Sequence, residues 1–178
     1  IQKIEQKTAE DYWKTYLSGF ENRTSFPKNK ELPAEKIYAD KNSIFKLNKS
    51  MTRSLEELAR KTEVTLNTVI QIAWGLLLAK YNNTRDVLFG TVVSGRPADI
   101  DNIESMIGLF VNTVPMRITL LDNDTFVSLA NRTQTNYILG SSYHFSPLSK
   151  VQNLSHLGNQ LLDHIFAFEN YPITESVK

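Results

Sequence analysis

The 178-residue chain contains no cysteine. Disulfide bonds, thiolate nucleophiles and cysteine-ligated metal sites are therefore excluded for this chain. The formal net charge is only +1, so the composition provides no argument for binding nucleic acid or an anionic membrane. The N-terminal stretch Ile-Gln-Lys-Ile-Glu is polar and does not resemble a signal peptide. Together these features predict a cytoplasmic protein.

Motifs for common catalytic chemistry are also missing. The three histidines, His144, His156 and His164, are far apart in sequence and have no metal-ligand spacing to acidic residues. The chain has neither a phosphate-binding glycine-rich loop followed by Lys-Ser/Thr nor a Gly-x-Ser-x-Gly elbow. We therefore predict no metal site and assign no catalytic residue within this chain.

Apolar residues at helical spacing predict four helices, at about residues 5–19, 51–62, 66–81 and 125–139. Ser50, Thr65 and either Asp124 or Thr125 are the predicted N-caps of the last three. The helix over 66–81 is apolar nearly all round, which is typical of a helix buried on most sides. It is too short and too interrupted by polar residues to span a bilayer, which needs ~20 apolar residues.

Strands are predicted between and after these helices. Residues 86–93 form a nearly continuous apolar run, and Gly90 within it indicates a bulge or the close approach of another backbone. In residues 111–120, every second side chain from Val114 onward is apolar, which predicts a strand with one buried face. Pro115 places that strand at an edge or a bulge. Shorter strands are predicted at 164–169 and 43–48. The alternation of helices and strands predicts an α/β fold with a mixed sheet flanked by helices.

Asn112 opens the apolar face of the 111–120 strand, which continues through Val114, Met116 and Ile118. A polar amide on such a face must find hydrogen-bond partners. It could be an ordinary strand-end asparagine bonded to nearby backbone, or an anchor within a functional site. Arg117 points to the opposite face of the strand, where a structural ion pair or contact with solvent is expected.

Ser94, Gly95 and Arg96 follow the buried strand at its carboxyl end, where open sheets place ligand sites. Glycine allows a close backbone approach, and arginine presents a fixed fork of donors. The alternative is a plain tight turn with a solvated arginine.

The stretch "IGLFVNTVPMR" resembles the fifth core motif of condensation domains in nonribosomal peptide synthetases. The positions that match this motif are Gly108, Phe110, Val111, Asn112, Thr113 and Arg117. Three further stretches are similar to the same family in the right order, "YWKTYLSG", "TRDVLFGTVVSGRP" and "LLDHIFAFENYP". The resemblance covers nearly the whole chain.

This resemblance implies that residues 1–178 form the C-terminal lobe of a two-lobe, chloramphenicol-acetyltransferase-like fold. The family's catalytic motif, His-His-x-x-x-Asp-Gly, belongs to the first half of the domain and is absent from this sequence. The N-terminal catalytic lobe is therefore expected outside this chain, which alone should be inactive. The segment 143–148, which matches the family's sixth motif poorly, is expected to be a loosely ordered arm that reaches the other lobe or another copy.

By resemblance, the intact domain is an acyltransferase-type enzyme of peptide antibiotic biosynthesis that forms amide bonds between carrier-bound thioesters. Ser94, Gly95 and Arg96 would line the acceptor side of the substrate tunnel, with Asn112 and Phe110 positioning it. No cofactor is expected to bind directly, because the phosphopantetheine arm belongs to carrier domains. Expected partners are the N-terminal lobe, peptidyl carrier domains and an adjacent adenylation domain. The alternatives are a lobe of a related acyltransferase, epimerisation or cyclisation domain, or a non-catalytic carrier-docking module.

Overall fold

The computed structural model describes residues 2–26, 41–94, 107, 108 and 110–169. The regular elements include five α-helices, three strands and one short 3-10 turn. They are, in chain order, α1 (Gln2–Leu17), α2 (Lys49–Lys61), α3 (Leu66–Asn82), β1 (Asp86–Val93), β2 (Asn112–Thr119), α4 (Phe126–Ser141), α5 (Leu148–Asn153), the 3-10 turn Gly158–Gln160 and β3 (Ile165–Phe166).

Local side-chain bonds begin the helices. The Thr65 hydroxyl accepts the main-chain N–H of Thr68, and this confirms Thr65 as the N-cap of α3. The Thr125 hydroxyl accepts from Ser128 in the same way at the start of α4. The prediction of Ser50 for α2 was wrong, because Asn48 is the N-cap and its side-chain oxygen accepts from the N–H of Met51 at 2.8 Å.

The strands form a mixed sheet in the order β2-β1-β3, flanked by helices. β1 and β3 are parallel, with Gly90 opposite Ile165. Leu120 N donates to Arg85 O at 2.7 Å, so the end of β2 lies beside the start of β1 and this pair is antiparallel. β2 is at an edge of the described sheet, as Pro115 predicted.

Gly90 confirms the predicted close approach of another backbone. Its N–H donates to His164 O at 3.1 Å, which joins β1 to the residue before β3. A Cβ added at Gly90 would lie 3.1 Å from side-chain carbons of both Leu162 and Thr113. Any larger residue would therefore press on Thr113 of β2 and on Leu162, which precedes β3.

The strand predicted over residues 43–48 is not formed. These residues are irregular and exposed, with Ile44 and Phe45 at 84% and 89% of their maximal accessibility. A strand needs a hydrogen-bonded neighbour as well as suitable side chains, and a short segment has little local preference of its own.

The chain divides into two compact units. The first comprises residues 1–23, 88–117 and 137–178, and its core consists of Trp13, Leu17, Phe20, Leu88, Val93, Val114, Val151 and Leu161. The second comprises residues 24–87 and 118–136, and its most buried apolar side chains are those of Val69, Ile72, Leu78, Val87, Ile118, Leu129 and Ala130. Within the described residues, no single helix is long and apolar enough to cross a membrane.

Candidate functional site around Asn112

Asn112 is the first residue of β2, and its half-buried side-chain amide joins this strand to a distant turn. Nδ2 donates to His144 O at 2.7 Å and to Ser146 O at 2.8 Å, while Oδ1 accepts the N–H of Thr113 at 2.9 Å. An amide group has two donor hydrogens and an oxygen acceptor, so both kinds of capacity are used here. Asn112 is bonded to main-chain groups, but two of these lie more than 30 residues further along the chain.

The bonds to Asn112 contradict the expectation that residues 143–148 form a loose arm. Tyr143 stacks on Tyr12 of α1, with 4.4 Å between ring centroids and 23° between ring planes. Ser146 is buried at 6% exposure, while Phe145 between the two bonded carbonyls is 51% exposed. The segment is therefore bound to its own unit by the hydrogen bonds from Asn112 and by the stacking of Tyr143 on Tyr12.

His144 and three tyrosines form an aromatic cluster next to this turn. The His144 ring packs edge-on against Tyr137, with centroids 5.2 Å apart. Burial lowers the pKa of His144 to about 4. Burial, with a further contribution from Tyr143, raises the pKa of Tyr12 to about 12. At neutral pH both groups are uncharged, and neither has the pKa near ambient pH that suits a general acid or base. The cluster is therefore a structural support.

Gly140 of α4 makes this packing possible. A Cβ added there would lie 2.6 Å from the Tyr12 hydroxyl oxygen and 3.7 Å from His144 Nε2. The Tyr12 ring cannot easily withdraw, since it also stacks on Tyr16 with centroids 5.8 Å apart. Sequence analysis did not predict the contact of Tyr12 with Gly140 and Tyr143, for which the sequence contains no local signal.

The side chain of Arg117 contacts main-chain carbonyl groups at the end of α1, whereas an ion pair or solvent contact was expected from the sequence. Its Nη1 donates to Tyr16 O and Ser18 O, each at 2.8 Å. Its guanidinium carbon lies 5.6 Å from the centroid of the Phe20 ring. A cation next to carbonyl groups at a helix C-terminus is favoured by both hydrogen bonding and the helix dipole. Arg117 thus fixes α1 against β2.

Of the other motif residues, Gly108 and Phe110 precede Asn112 in the chain and Thr113 follows it. A Cβ on Gly108 would be 3.0 Å from the half-buried ring of Phe110, so a larger residue there would require that ring to shift. Thr113 is half-buried, and its methyl carbon lies beside Gly90 of β1. The motif therefore shapes the loop that enters β2 and the start of that strand.

Of the three predicted acceptor-side residues, one lies within the described part of the chain. Ser94 is exposed and directly follows the end of β1. Gly95 and Arg96 lie outside the described residues. The roles of these three residues remain predictions from the sequence.

An ion pair that sequence analysis missed supports β3. Arg23 Nη2 lies 2.6 Å from Asp163 Oδ1, although the two residues are 140 positions apart in the chain (163 − 23). His164 stacks on Phe89, with 6.1 Å between ring centroids. Burial lowers the pKa of His164, and the neighbouring Asp163 carboxylate opposes that shift. Within the described part of the chain, no cluster of His, Asp and Glu could hold a metal ion.

Comparison with known proteins decides the family. The family model for the Condensation domain matches residues 1–178. The chain belongs to the condensation-domain family. Bacitracin synthase 3 of Bacillus licheniformis is 42% identical over 98% of the chain, and tyrocidine synthase 2 of Brevibacillus parabrevis is 40% identical over 100% of it. The chain spans only 3% and 5% of the length of these two relatives.

Solved structures agree on the fold of this condensation-domain chain. The first condensation domain of the calcium-dependent antibiotic synthetase, in complex with a substrate analogue, superposes with a TM-score of 0.73 at 15% identity. That match covers 96% of this chain and 36% of the solved one. The X-domain from teicoplanin biosynthesis gives a TM-score of 0.70 at 24% identity, covering 83% of this chain and 32% of that one. At these identities the likeness establishes the chloramphenicol-acetyltransferase-like fold.

Proposed function

We propose that this chain is the C-terminal lobe of a condensation domain in a nonribosomal peptide synthetase, and that the intact domain forms amide bonds between carrier-bound thioesters. The observation that carries the proposal is the family match over residues 1–178. The chain covers only 36% of a solved condensation-domain chain, as expected for one part of such a domain. The motif residues support it, because Gly108, Phe110 and Asn112 shape one strand entry.

In the proposed reaction, the amine of the acceptor aminoacyl group attacks the thioester carbonyl carbon of the donor. The new C–N bond forms as the C–S bond breaks, and the donor's phosphopantetheine thiol leaves while the amine loses a proton. Holding both arms in one tunnel converts a bimolecular encounter into a reaction between positioned groups. The proton transfer is assigned to the His-His-x-x-x-Asp-Gly motif of the N-terminal lobe, which this sequence does not contain.

The contribution of this lobe would be one wall of the tunnel. Ser94, Gly95 and Arg96 follow the carboxyl end of β1 and are proposed to contact the acceptor side. Asn112, Thr113 and Arg117 would hold that wall in place through their bonds to neighbouring segments rather than touch substrate. The N-terminal lobe, carrier domains and an adenylation domain are proposed as partners, and a cytoplasmic location stays a prediction.

A reconstitution experiment tests this function. The chain is joined to an upstream half bearing the histidine motif from a bacitracin synthase relative, and two aminoacyl-loaded carrier domains are added. We expect a dipeptidyl thioester, detected by mass spectrometry, and its loss when the second histidine of the supplied motif is changed to alanine. Arg96→Ala should lower the rate about tenfold or more through lost positioning. The matched control is Arg53→Ala, since Arg53 is exposed on α2.

The same experiment separates the alternatives. A racemised donor thioester would indicate an epimerisation domain, and a cyclised dipeptide would indicate a cyclisation domain. Binding of loaded carriers without any product would favour a docking module. An unchanged rate for Arg96→Ala would remove the proposed acceptor-side role while leaving the proposed function of the lobe intact.

A further inference from the structure

The outer edge of β2 has an unusual set of main-chain groups. Leu120 N donates towards β1, to Arg85 O. Successive residues of an antiparallel strand point their N–H groups to opposite sides. Even-numbered residues of β2 therefore turn their main-chain N–H groups towards β1, and positions 113, 115, 117 and 119 face outward. A further strand added to this edge would bind at these outward positions.

At three successive outward positions, 113, 115 and 117, no main-chain N–H is available to a further strand. The N–H of Thr113 donates to Asn112 Oδ1 at 2.9 Å. Pro115 has no N–H to donate. The N–H of Arg117 donates to the Tyr16 hydroxyl at 2.7 Å. Three successive outward positions therefore have no main-chain N–H available for strand pairing. Asn112 and Tyr16 accept two of the N–H groups, and Pro115 has none.

The side chains that accept the N–H groups of Thr113 and Arg117 are held in place by further hydrogen bonds. Asn112 is oriented by its bonds to His144 O and Ser146 O, which aim its Oδ1 back at Thr113. Tyr16 is held close to β2 because Arg117 donates to the carbonyl groups of Tyr16 and Ser18. The end of α1 and the turn at residues 144–146 are therefore both bonded to this strand.

We propose that Asn112, Pro115 and Tyr16 form an edge guard that prevents β2 from pairing with β2 of a second copy of this chain. An open strand edge is a template for adding another chain, and proteins close such edges with proline, side chains or covering segments. A second copy is the fitting partner, because two antiparallel β2 strands would pair symmetrically about position 115 and close into a dimer. In that register, position 113 of one copy would lie opposite position 117 of the other.

The test opens two of the three positions. Pro115→Val restores an outward N–H, and Tyr16→Phe releases the N–H of Arg117 while keeping the aromatic ring. We expect sedimentation velocity to show the wild-type chain as a monomer and the double variant as a dimer, with self-association about tenfold or more tighter. The infrared amide I band should gain an intermolecular β component. The control pairs Pro147→Val with Tyr81→Phe, because Pro147 precedes α5 and Tyr81 is exposed on α3.

Two outcomes would overturn the proposal. One is a folded double variant that stays monomeric over the concentration range in which the control is measured. The other is association that Ile165→Lys abolishes, because Ile165 lies in β3 and that result would assign the contact to the opposite edge of the sheet. If the double variant unfolds, Pro115→Val alone is compared instead, since it leaves the bond to Tyr16 in place. We expect this variant to dimerise with its new amide protected from hydrogen exchange, and a folded variant that stays monomeric with that amide unprotected would also overturn the proposal.

Discussion

The side-chain amide of Asn112 lies 2.7 Å from the main-chain oxygen of His144, 32 residues further along the chain. This bond and its companion to Ser146 join the family's motif strand to a turn that carries no recognisable motif. The Asn112 amide is half-buried, so water could not reach all of its hydrogen-bond partners if the amide were removed. These bonds give the motif asparagine a structural role.

Asn112→Leu tests this explanation. The change leaves two carbonyl groups and the N–H of Thr113 without their side-chain partner, and we expect a loss of roughly 1–3 kcal/mol in the free energy of unfolding. Urea denaturation followed by circular dichroism measures it. Asn131→Leu is the control, because Asn131 is exposed on α4. Equal losses in the two variants would show that the bonds of Asn112 contribute nothing particular.

Gly140→Ala should destabilise the protein even though alanine is the better helix former by ~1 kcal/mol. The new Cβ would lie 2.6 Å from the Tyr12 hydroxyl, and displacing that stacked ring should cost roughly 1–3 kcal/mol. Thermal unfolding gives the sign directly. Removing the hydroxyl with Tyr12→Phe should recover part of the loss in the double variant. Stabilisation by Gly140→Ala alone would mean that the ring moves aside freely.

Stability should fall in mildly acidic solution because of His144. Burial lowers the pKa of His144 from 6.5 to about 4 in the folded chain, so the unfolded chain binds the proton more readily. The stabilising contribution is present above pH 6.5, declines as the pH falls, and is lost below about pH 4. Urea midpoints measured across this range, compared with those of His144→Gln, should reveal the dependence. A His156→Gln control should keep it, and an unchanged slope in His144→Gln would exclude this origin.

The chain alone should be catalytically silent, because the His-His-x-x-x-Asp-Gly motif is absent from its sequence. Incubation with donor-loaded and acceptor-loaded carrier domains should give dipeptidyl thioester no faster than carriers without protein. The measurement is liquid chromatography with mass spectrometry of the carrier-bound products. Turnover above that background would place the chemistry within this chain and contradict the assignment of proton transfer to the other lobe.

Much of the secondary structure followed from the sequence because its causes are local. The apolar run at 86–93 matches β1 residue for residue, and Thr65 begins α3 through a hydroxyl bond to an amide three residues later. Gly90 correctly indicated a close backbone. Local signals gave the wrong N-cap for α2, which is Asn48 and not Ser50. They also wrongly predicted a strand at residues 43–48, where apolar side chains without a paired neighbouring strand remain irregular.

The order of amino acids was enough to predict that Asn112 needs hydrogen-bond partners, that Pro115 lies at an edge or a bulge, and that the motif is that of a condensation domain. The identity of those partners, His144 and Ser146, and the bonds from Arg117 to the end of α1 follow from how the whole chain packs. Capping and periodicity depend on atoms a few residues apart, which the order of amino acids specifies directly. The partners of a half-buried polar group lie wherever packing of the whole chain brings an unsatisfied carbonyl within 3 Å, and no pattern within one segment encodes that position.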